Sequence, residues 1–503
     1  LNRHALALCA LSGLLAFAPA GTARPGSGQS YRGGSSRSSG SGSNYYVPSQ
    51  GTRSGGGGGD IDSGLVLELV YLCFRYPPLG LLVVTGVAGY AFLAQRRRRA
   101  LSDWSTGGMP ARAENRGRTS SARRELARLG ETDPGFSLVL FEDFAYALYS
   151  EVEVNRAQGG IARLAAWVSP AVAQLLYDPA LERVEGVVIG ALRYGGVELG
   201  AERSVVTLEL EANLTEVRGG AAQRFYVGDR IVLGRASTAR SRPPGRTRKL
   251  DCPNCGAPLE GMRGTTCAYC RQEVGGGRLD WQLESIERLV TERQPPAITS
   301  EAPESGNQLP TLVSPDADAR FAEIVARDPA SDAEALWARI AVIFNELQVG
   351  WSNRDLARIR PFVSDNLFQY FGYWIDVYAA ARARNITENA RILKIELADV
   401  LGDSVYDAVT VRLFATSLDY TLSDDGRVLS GSRGRERQYS EYWTLIRGRG
   451  TRGRPRVEPV CPACGAPLNI GMAGNCGYCH ARVVSGEFDW VLSRIEQDEA
   501  YGG

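Results

Sequence analysis

The chain has 503 residues, 57 basic and 56 acidic side chains for a net charge of +1, and 44% hydrophobic residues. That length is too great for one ordinary core and calls for two or three domains with linkers. The balanced charge excludes a whole-chain attraction to nucleic acid or anionic membrane. With only two histidines, His4 and His480, no Ser-His-Asp or Cys-His machine fits the body of the chain unless His480 alone serves it.

Residues 1–23 (LNRHALALCALSGLLAFAPAGTA) have a short basic start, an apolar run and small residues around Ala18-Pro19-Ala20. This is the pattern of a secretory signal peptide, with an uncleaved first membrane segment as the alternative. Residues 24–62 are Gly- and Ser-rich with almost no aliphatic side chains, too little apolar surface to offset the entropy of ordering, so a disordered spacer is expected.

Residues 63–95 (SGLVLELVYLCFRYPPLGLLVVTGVAGYAFLAQ) carry a long apolar run interrupted by Glu68, Arg75 and Pro77-Pro78. One transmembrane helix is expected, starting or kinking near the proline pair. Arg96, Arg97, Arg98 and Arg99 follow directly, and such a positive flank orients toward the cytoplasm. Cleaved or retained, the first segment leaves everything after residue 99 cytoplasmic. Residues 96–130 read as a basic juxtamembrane linker whose arginines suit anionic headgroups.

Helical periodicity then runs through FEDFAYALYSEVEVNRAQGGIARLAAWVSPAVAQLLY, followed by three alternating runs, VEGVVIGALRYG, SVVTLELEANLTEV and QRFYVGDRIVLGR. Residues 131–245 are therefore read as an α+β domain, a curved antiparallel sheet over helices.

Within 246–292, Cys252, Cys255, Cys267 and Cys270 form CxxC-x11-CxxC. In a reducing compartment four such cysteines are not a disulfide set. Two CxxC turns bring four thiolates to one ion, and an all-sulfur tetrahedron favours structural zinc, with an iron–sulfur centre as the alternative. Gly256 supplies the positive φ that such a turn commonly needs. The segment DWQLESIE, from Asp280, reads as a short closing helix.

Residues 293–325 are a Pro- and Ser-rich linker, and then the pattern repeats. Residues 326–450 read as a second α+β domain. Residues 451–503 hold Cys461, Cys464, Cys476 and Cys479, then DWVLSRIE. At an offset of 195 the helical parts align without gaps, placing Tyr149 on Phe344, Glu151 on Glu346, Trp167 on Phe362 and Val168-Ser169 on Val363-Ser364. The fold class is thus α+β, duplicated, with two structural zinc ions. His480 reads as a neighbour of the ligands, not one of them.

FRYPPLGLLVV in the anchor, the CPNCGAPL and CPACGAPL knuckles, the trailing DWxLxxIE segments and EYWTLIRGR in the last long strand together resemble one family. It comprises the bacterial relatives of the mitochondrial inner-membrane translocase's motor-anchoring subunit. The resemblance covers most of the chain after residue 60; the first copy departs from it, with DRIVLGR where the second has YWTLIRG. It implies a nuclear-transport-factor-two-like cone fold and a scaffold, not an enzyme, bound to a bacterial inner membrane, with cytoplasmic or membrane proteins as partners. Two other readings stand beside it. Arginine tracts before each knuckle pair, RASTARSRPPGRTRKL and RGRGTRGRPR, suit a nucleic-acid backbone. The acids Glu142, Asp143, Glu151 and Glu346 are candidate general bases if a cone encloses a pocket.

Overall fold

The computed structural model describes residues 121–157, 160–247, 249–293, 307–498 and 501–502. The expected signal peptide, spacer and transmembrane segment, and Arg96 to Arg99, lie outside the described residues. Among the described residues no helix is long and apolar enough to cross a membrane.

The main helices of each half are started by side-chain caps. Helix α1 (Leu138–Asn155) is capped by Ser137, whose hydroxyl accepts from the Leu140 N–H; α2 (Pro170–Leu175) is capped by Ser169. Strands β1 (Arg183–Leu199), β2 (Arg203–Arg218), β3 (Ala221–Ala236) and β4 (Gln282–Arg293) form an antiparallel sheet in that order. In the second half α3 (Ala317–Arg327) precedes α4 (Ala333–Asn353), capped by Asp332, and α5 (Asp365–Ala380), capped by Ser364. Strands β5 (Ala383–Gly402), β6 (Tyr406–Ser423), β7 (Val428–Gly448) and β8 (Val491–Gln497) again form a four-stranded antiparallel sheet in chain order. Ser137 and Asp332, and Ser169 and Ser364, are each 195 residues apart, so the aligned segments start at the same caps.

Three expectations need correction. The DWxLxxIE segments are strands, β4 and β8, not helices. Each carries a bulge: Leu283 pairs with Leu233 and Ile286 with Ile231, while Leu492 pairs with Leu445 and Ile495 with Trp443. The extra residue turns a three-residue spacing into strand alternation, so both apolar side chains reach one face. The Pro- and Ser-rich linker is shorter than composition suggests, since its last part is α3 and Leu312 N–H already donates to the Tyr442 hydroxyl at 2.9 Å. The basic linker likewise ends in helix, at 121–127 and Leu129–Thr132.

Each fourth strand is also tied to the helix layer. Ser169 N–H donates to Leu283 O at 2.9 Å and Ser364 N–H to Leu492 O at 2.9 Å, beside the parallel bridges Val168–Leu283 and Val363–Leu492. The cores are the packed inner faces: Phe144, Trp167, Leu208 and Leu283 in the first half, Phe344, Phe371, Trp443 and Leu492 in the second.

The described residues fall in one compact unit, and the halves meet through a specific junction. The first half contributes α1 and β1; the second contributes α5, β8 and the β5–β6 turn. Buried Glu142 pairs with Arg494 and accepts from the Tyr194 hydroxyl at 3.0 Å, with Arg123 also 3.2 Å away. Asn366 donates to Asp143 at 3.2 Å, and Asp403 accepts from Ser137 Oγ at 2.7 Å and Leu138 N–H at 3.1 Å. Leu140 packs among Tyr406, Ala408, Ile446 and Val491.

Candidate metal centres

Each knuckle is a tight turn with one purpose, aiming two sulfurs the same way. Cys252 N–H donates to Ala257 O at 2.8 Å and Gly256 N–H returns to Cys252 O at 2.9 Å; Cys461 with Ala466 and Gly465 repeats this at 2.7 and 2.8 Å. Gly256 and Gly465 have φ of 77° and 74°, as expected. The second knuckles close identically, Arg271 N–H to Cys267 O and His480 N–H to Cys476 O. There the left-handed position falls on Arg271 and His480, at φ 59° and 60°. That is the place of His480 in the structure: a turn residue beside Cys479 and outside the group of four converging sulfurs.

The four turns bring Cys252, Cys255, Cys267 and Cys270 together, and separately Cys461, Cys464, Cys476 and Cys479, with all four sulfurs of each cluster within 4.8 Å of one another. Individual separations are 3.9 Å for Cys252–Cys270, Cys255–Cys267 and Cys461–Cys479. A tetrahedron of thiolates about 2.3 Å from a central ion has edges of roughly 3.8 Å, so each cluster has the size to hold a metal ion. The thiols are not equally ready to ionise. Burial pushes Cys252 and Cys461 up to about 12, whereas the Asn254 side chain draws Cys270 down to about 6 and the Cys479 N–H draws Cys476 down to about 7. A cation entering either site must displace protons from the buried sulfur.

The halves hold the DW motif alike, by different arginines. Arg242 reaches Asp280 at 2.5 Å and lies over the Trp167 ring at 4.7 Å; Arg339 lies 3.6 Å from Asp489 and over the Phe362 ring at 5.2 Å. Trp167 and Phe362 are one of the aligned pairs, yet Arg242 follows β3 while Arg339 sits on α4. Nothing in the alignment signals this, because the function is kept while its residue moves.

The remaining candidates are occupied structurally. Glu142 and Asp143 belong to the junction, Glu151 accepts from Asn155 at 2.9 Å, and Glu346 pairs with Arg358 at 2.6 Å. No two of these converge on a common cavity except Glu142 and Asp143, whose space holds about one water, ≈ 30 Å³. In the arginine tracts, Arg235 pairs with Asp133 at 2.8 Å, Arg242 with Asp280, and Arg447 with Asp328 at 2.9 Å, all buried. Arg240 and Arg452 turn back onto backbone carbonyls. Three arginines of these tracts are thus internal fastenings, while Arg240, Arg452, Arg454 and Arg456 remain exposed.

Sequence reasoning missed a buried network in the first half. Tyr149 donates to Asp229 at 2.5 Å, Arg288 bridges Asp229 and Glu153 at 2.6 Å each, and Arg156 joins Glu153 at 2.8 Å. Its members are scattered over α1, β3 and β4, and only the sheet register brings them together.

No curated protein matches the chain. A solved structure titled "Ntf2 like protein involved in plasmid conjugation" aligns over 71% of this chain and 94% of its own at 8% identity, but its TM-score of 0.16 is too low to bear on the fold. The model of the Tim44-like domain matches residues 317–455, from the start of α3 to just past β7, so this part of the second half is similar to a Tim44-like domain.

Proposed function

We propose that the chain is a membrane-tethered, non-enzymatic scaffold that presents two cone-like domains, related by duplication, to protein partners on the cytoplasmic face of a bacterial inner membrane. The Tim44-like match over 317–455 carries this reading. It agrees with the resemblance drawn from the anchor, the knuckles and the last long strand, which implies recruitment of proteins to a membrane in transport or envelope biogenesis. Pairing of the candidate acids with internal partners supports a binding role over catalysis, and the buried ion pairs of Arg235, Arg242 and Arg447 withdraw those three arginines from contact with nucleic acid.

Each cysteine cluster holds one structural zinc ion in this reading, with Cys252, Cys255, Cys267 and Cys270 as one ligand set and Cys461, Cys464, Cys476 and Cys479 as the other. Four thiolates close the sphere and leave no position for substrate; zinc supplies only the cross-link that a short module needs to fold. Residues 63–95 form the anchor, and Arg96, Arg97, Arg98 and Arg99 fix its orientation.

Crosslinking capture of the full chain from native membranes, with and without nuclease, tests the proposal, with metal content measured in parallel. Two zinc ions per chain and a small set of nuclease-resistant proteins are expected, with capture lost when Cys252 and Cys461 are changed to Ser. Capture dominated by RNA or DNA would overturn the scaffold reading.

A further inference from the structure

The junction between the halves is head-to-tail. The first half presents its α1/β1 face and the second presents its α5/β8 face, two different surfaces in contact. Such a heterologous contact does not use itself up. Each half keeps the face that its neighbour used, and a further copy can add by the same operation. The second half retains an α4/β5 face corresponding to α1/β1. The first half retains an α2/β4 face corresponding to α5/β8.

These open faces have changed together. In the junction Glu142 meets Arg494 and Asp143 meets Asn366. At the offset of 195, Glu142 and Asp143 correspond to Trp337 and Ala338, and Asn366 corresponds to Ala171. Arg494 pairs with Thr444 on β7, and Ser285 stands at the matching register position opposite Val232 on β3. So both members of the ion pair, and both members of the polar pair, are absent from the open faces. A face meant only for water has no reason to lose its charges in step with a surface far away in the chain. Two faces that meet do, because an unpaired charge left in the contact would be costly.

Apolar surface has appeared in their place. Trp337, Ala338, Ala341 and Val342 are half-buried along α4, with Phe321 of α3 stacked on Trp337. Leu393, 52% exposed on β5, stands where Gly190 lines the junction space on β1. On the other face Leu175 is 68% exposed, whereas its counterpart Tyr370 is buried beneath the first half; Tyr177 beside it is 56% exposed. We infer that the α2/β4 face of one chain docks on the α4/β5 face of a second copy, repeating the internal junction with apolar contacts in place of ionic ones. The assembly is open-ended, each chain adding two halves to a row.

The full chain carrying the photo-crosslinker p-benzoylphenylalanine at Tyr177 provides the test. The expected product is an intermolecular crosslink whose second peptide contains residues 337–342 or 391–394. Sedimentation velocity should show mass that grows with concentration beyond a dimer. Ala338→Glu and Ala171→Arg, both at accessible positions, should each lower the crosslink yield by about tenfold, the effect of an unpaired charge in a contact. Mixed together, the two variants make both contacts between unlike chains competent, one unchanged and one carrying a restored charge pair, and should grow as an alternating row where neither grows alone. A chain that stays monomeric, a crosslink joining Tyr177 to its own segment in the other copy, or full association of either single variant would overturn the inference. None of these outcomes depends on the metal content or on which partners are captured.

Discussion

The two halves build the same frame and fill it differently, and their ribbons, the segments around Cys252–Cys270 and Cys461–Cys479, differ most. In the first half Cys252, Cys267 and Val274 belong to one continuous core with α1 and the sheet. In the second, Cys461, Ile470, Cys476, Val483 and Val484 form a small core of their own. That ribbon is held by a buried guanidinium: Arg360 donates to Met472 O at 2.8 Å, lies over the Phe368 ring at 4.5 Å, and pairs with Asp365 at 2.5 Å. Burial lowers the Arg360 pKa in spite of that partner, so its pairing only partly offsets desolvation. At the aligned position the first half has Ala165, and the ribbon packs closely enough that a Cβ on Gly275 would lie 3.7 Å from the Ala165 carbonyl. One ribbon is part of a core; the other is attached to one.

The largest effect expected from this difference lies in the cysteine clusters. Cys252→Ser should unfold the first half's ribbon and loosen its core, lowering the melting temperature by roughly 10 °C or more. Hydrogen exchange would then rise through β4 and α1. Cys461→Ser should raise exchange in residues 461–485 and leave α4 and β7 protected. Equal spread of the damage in both variants would erase the distinction between the ribbons.

Next in size is the buried network. Tyr149, Glu153, Asp229 and Arg288 correspond to Phe344, Gln348, Glu441 and Gln497, where Gln497 donates to Glu441 at 3.1 Å and the Trp443 indole donates to the same carboxylate at 3.0 Å. Burial raises the Glu153 pKa even with Arg288 and Arg156 beside it, which marks a charge that its partners stabilise incompletely. Arg288→Gln alone removes the shared cation of two buried carboxylates, leaving Asp229 to Tyr149 and Glu153 to Arg156. It should cost about 3 kcal/mol in urea unfolding, whereas the combined change Tyr149→Phe, Glu153→Gln and Arg288→Gln should recover most of that loss. A combined variant as unstable as the single one would mean that the neutral arrangement depends on surroundings particular to the second half.

Much of this frame was legible in the sequence because it rests on local signals. The helical periodicity, the strand alternation and the CxxC spacing each act within a few residues. The fourth strand was not legible, since W-x-L-x-x-I fits one face of a helix until a bulge in the partner's register is known. Arg242 and Arg339 escaped notice for a different reason: a long side chain reaches its Asp from wherever the fold leaves room, so its sequence position is free to drift. The junction was also hidden, because Glu142 read alone is an acid on a helix, and only Arg494, 352 residues later, makes it half of a contact.

That contact gives the smallest and most selective test of the comparison. Burial acts to raise the Glu142 pKa, but Arg494 and Arg123, with a hydrogen bond from Tyr194, outweigh it and hold the carboxyl below the usual glutamate range. A carboxylate whose folded pKa is depressed stabilises the folded state fully above its unfolded value, about 4.3, and loses that contribution as the pH falls through the folded value. Glu142→Gln should therefore cost about 1.5–3 kcal/mol at pH 7, the range for a charge-assisted hydrogen bond. The difference from the parent chain should shrink below roughly pH 4 as the parent's own Glu142 takes up a proton. Trp337, which stands at the matching position on α4, has no such titration, so Trp337→Phe should show a pH-independent difference. If the Glu142→Gln difference stays constant down to pH 3, the carboxylate is not holding the junction by its charge, and packing around Leu140 joins the halves instead.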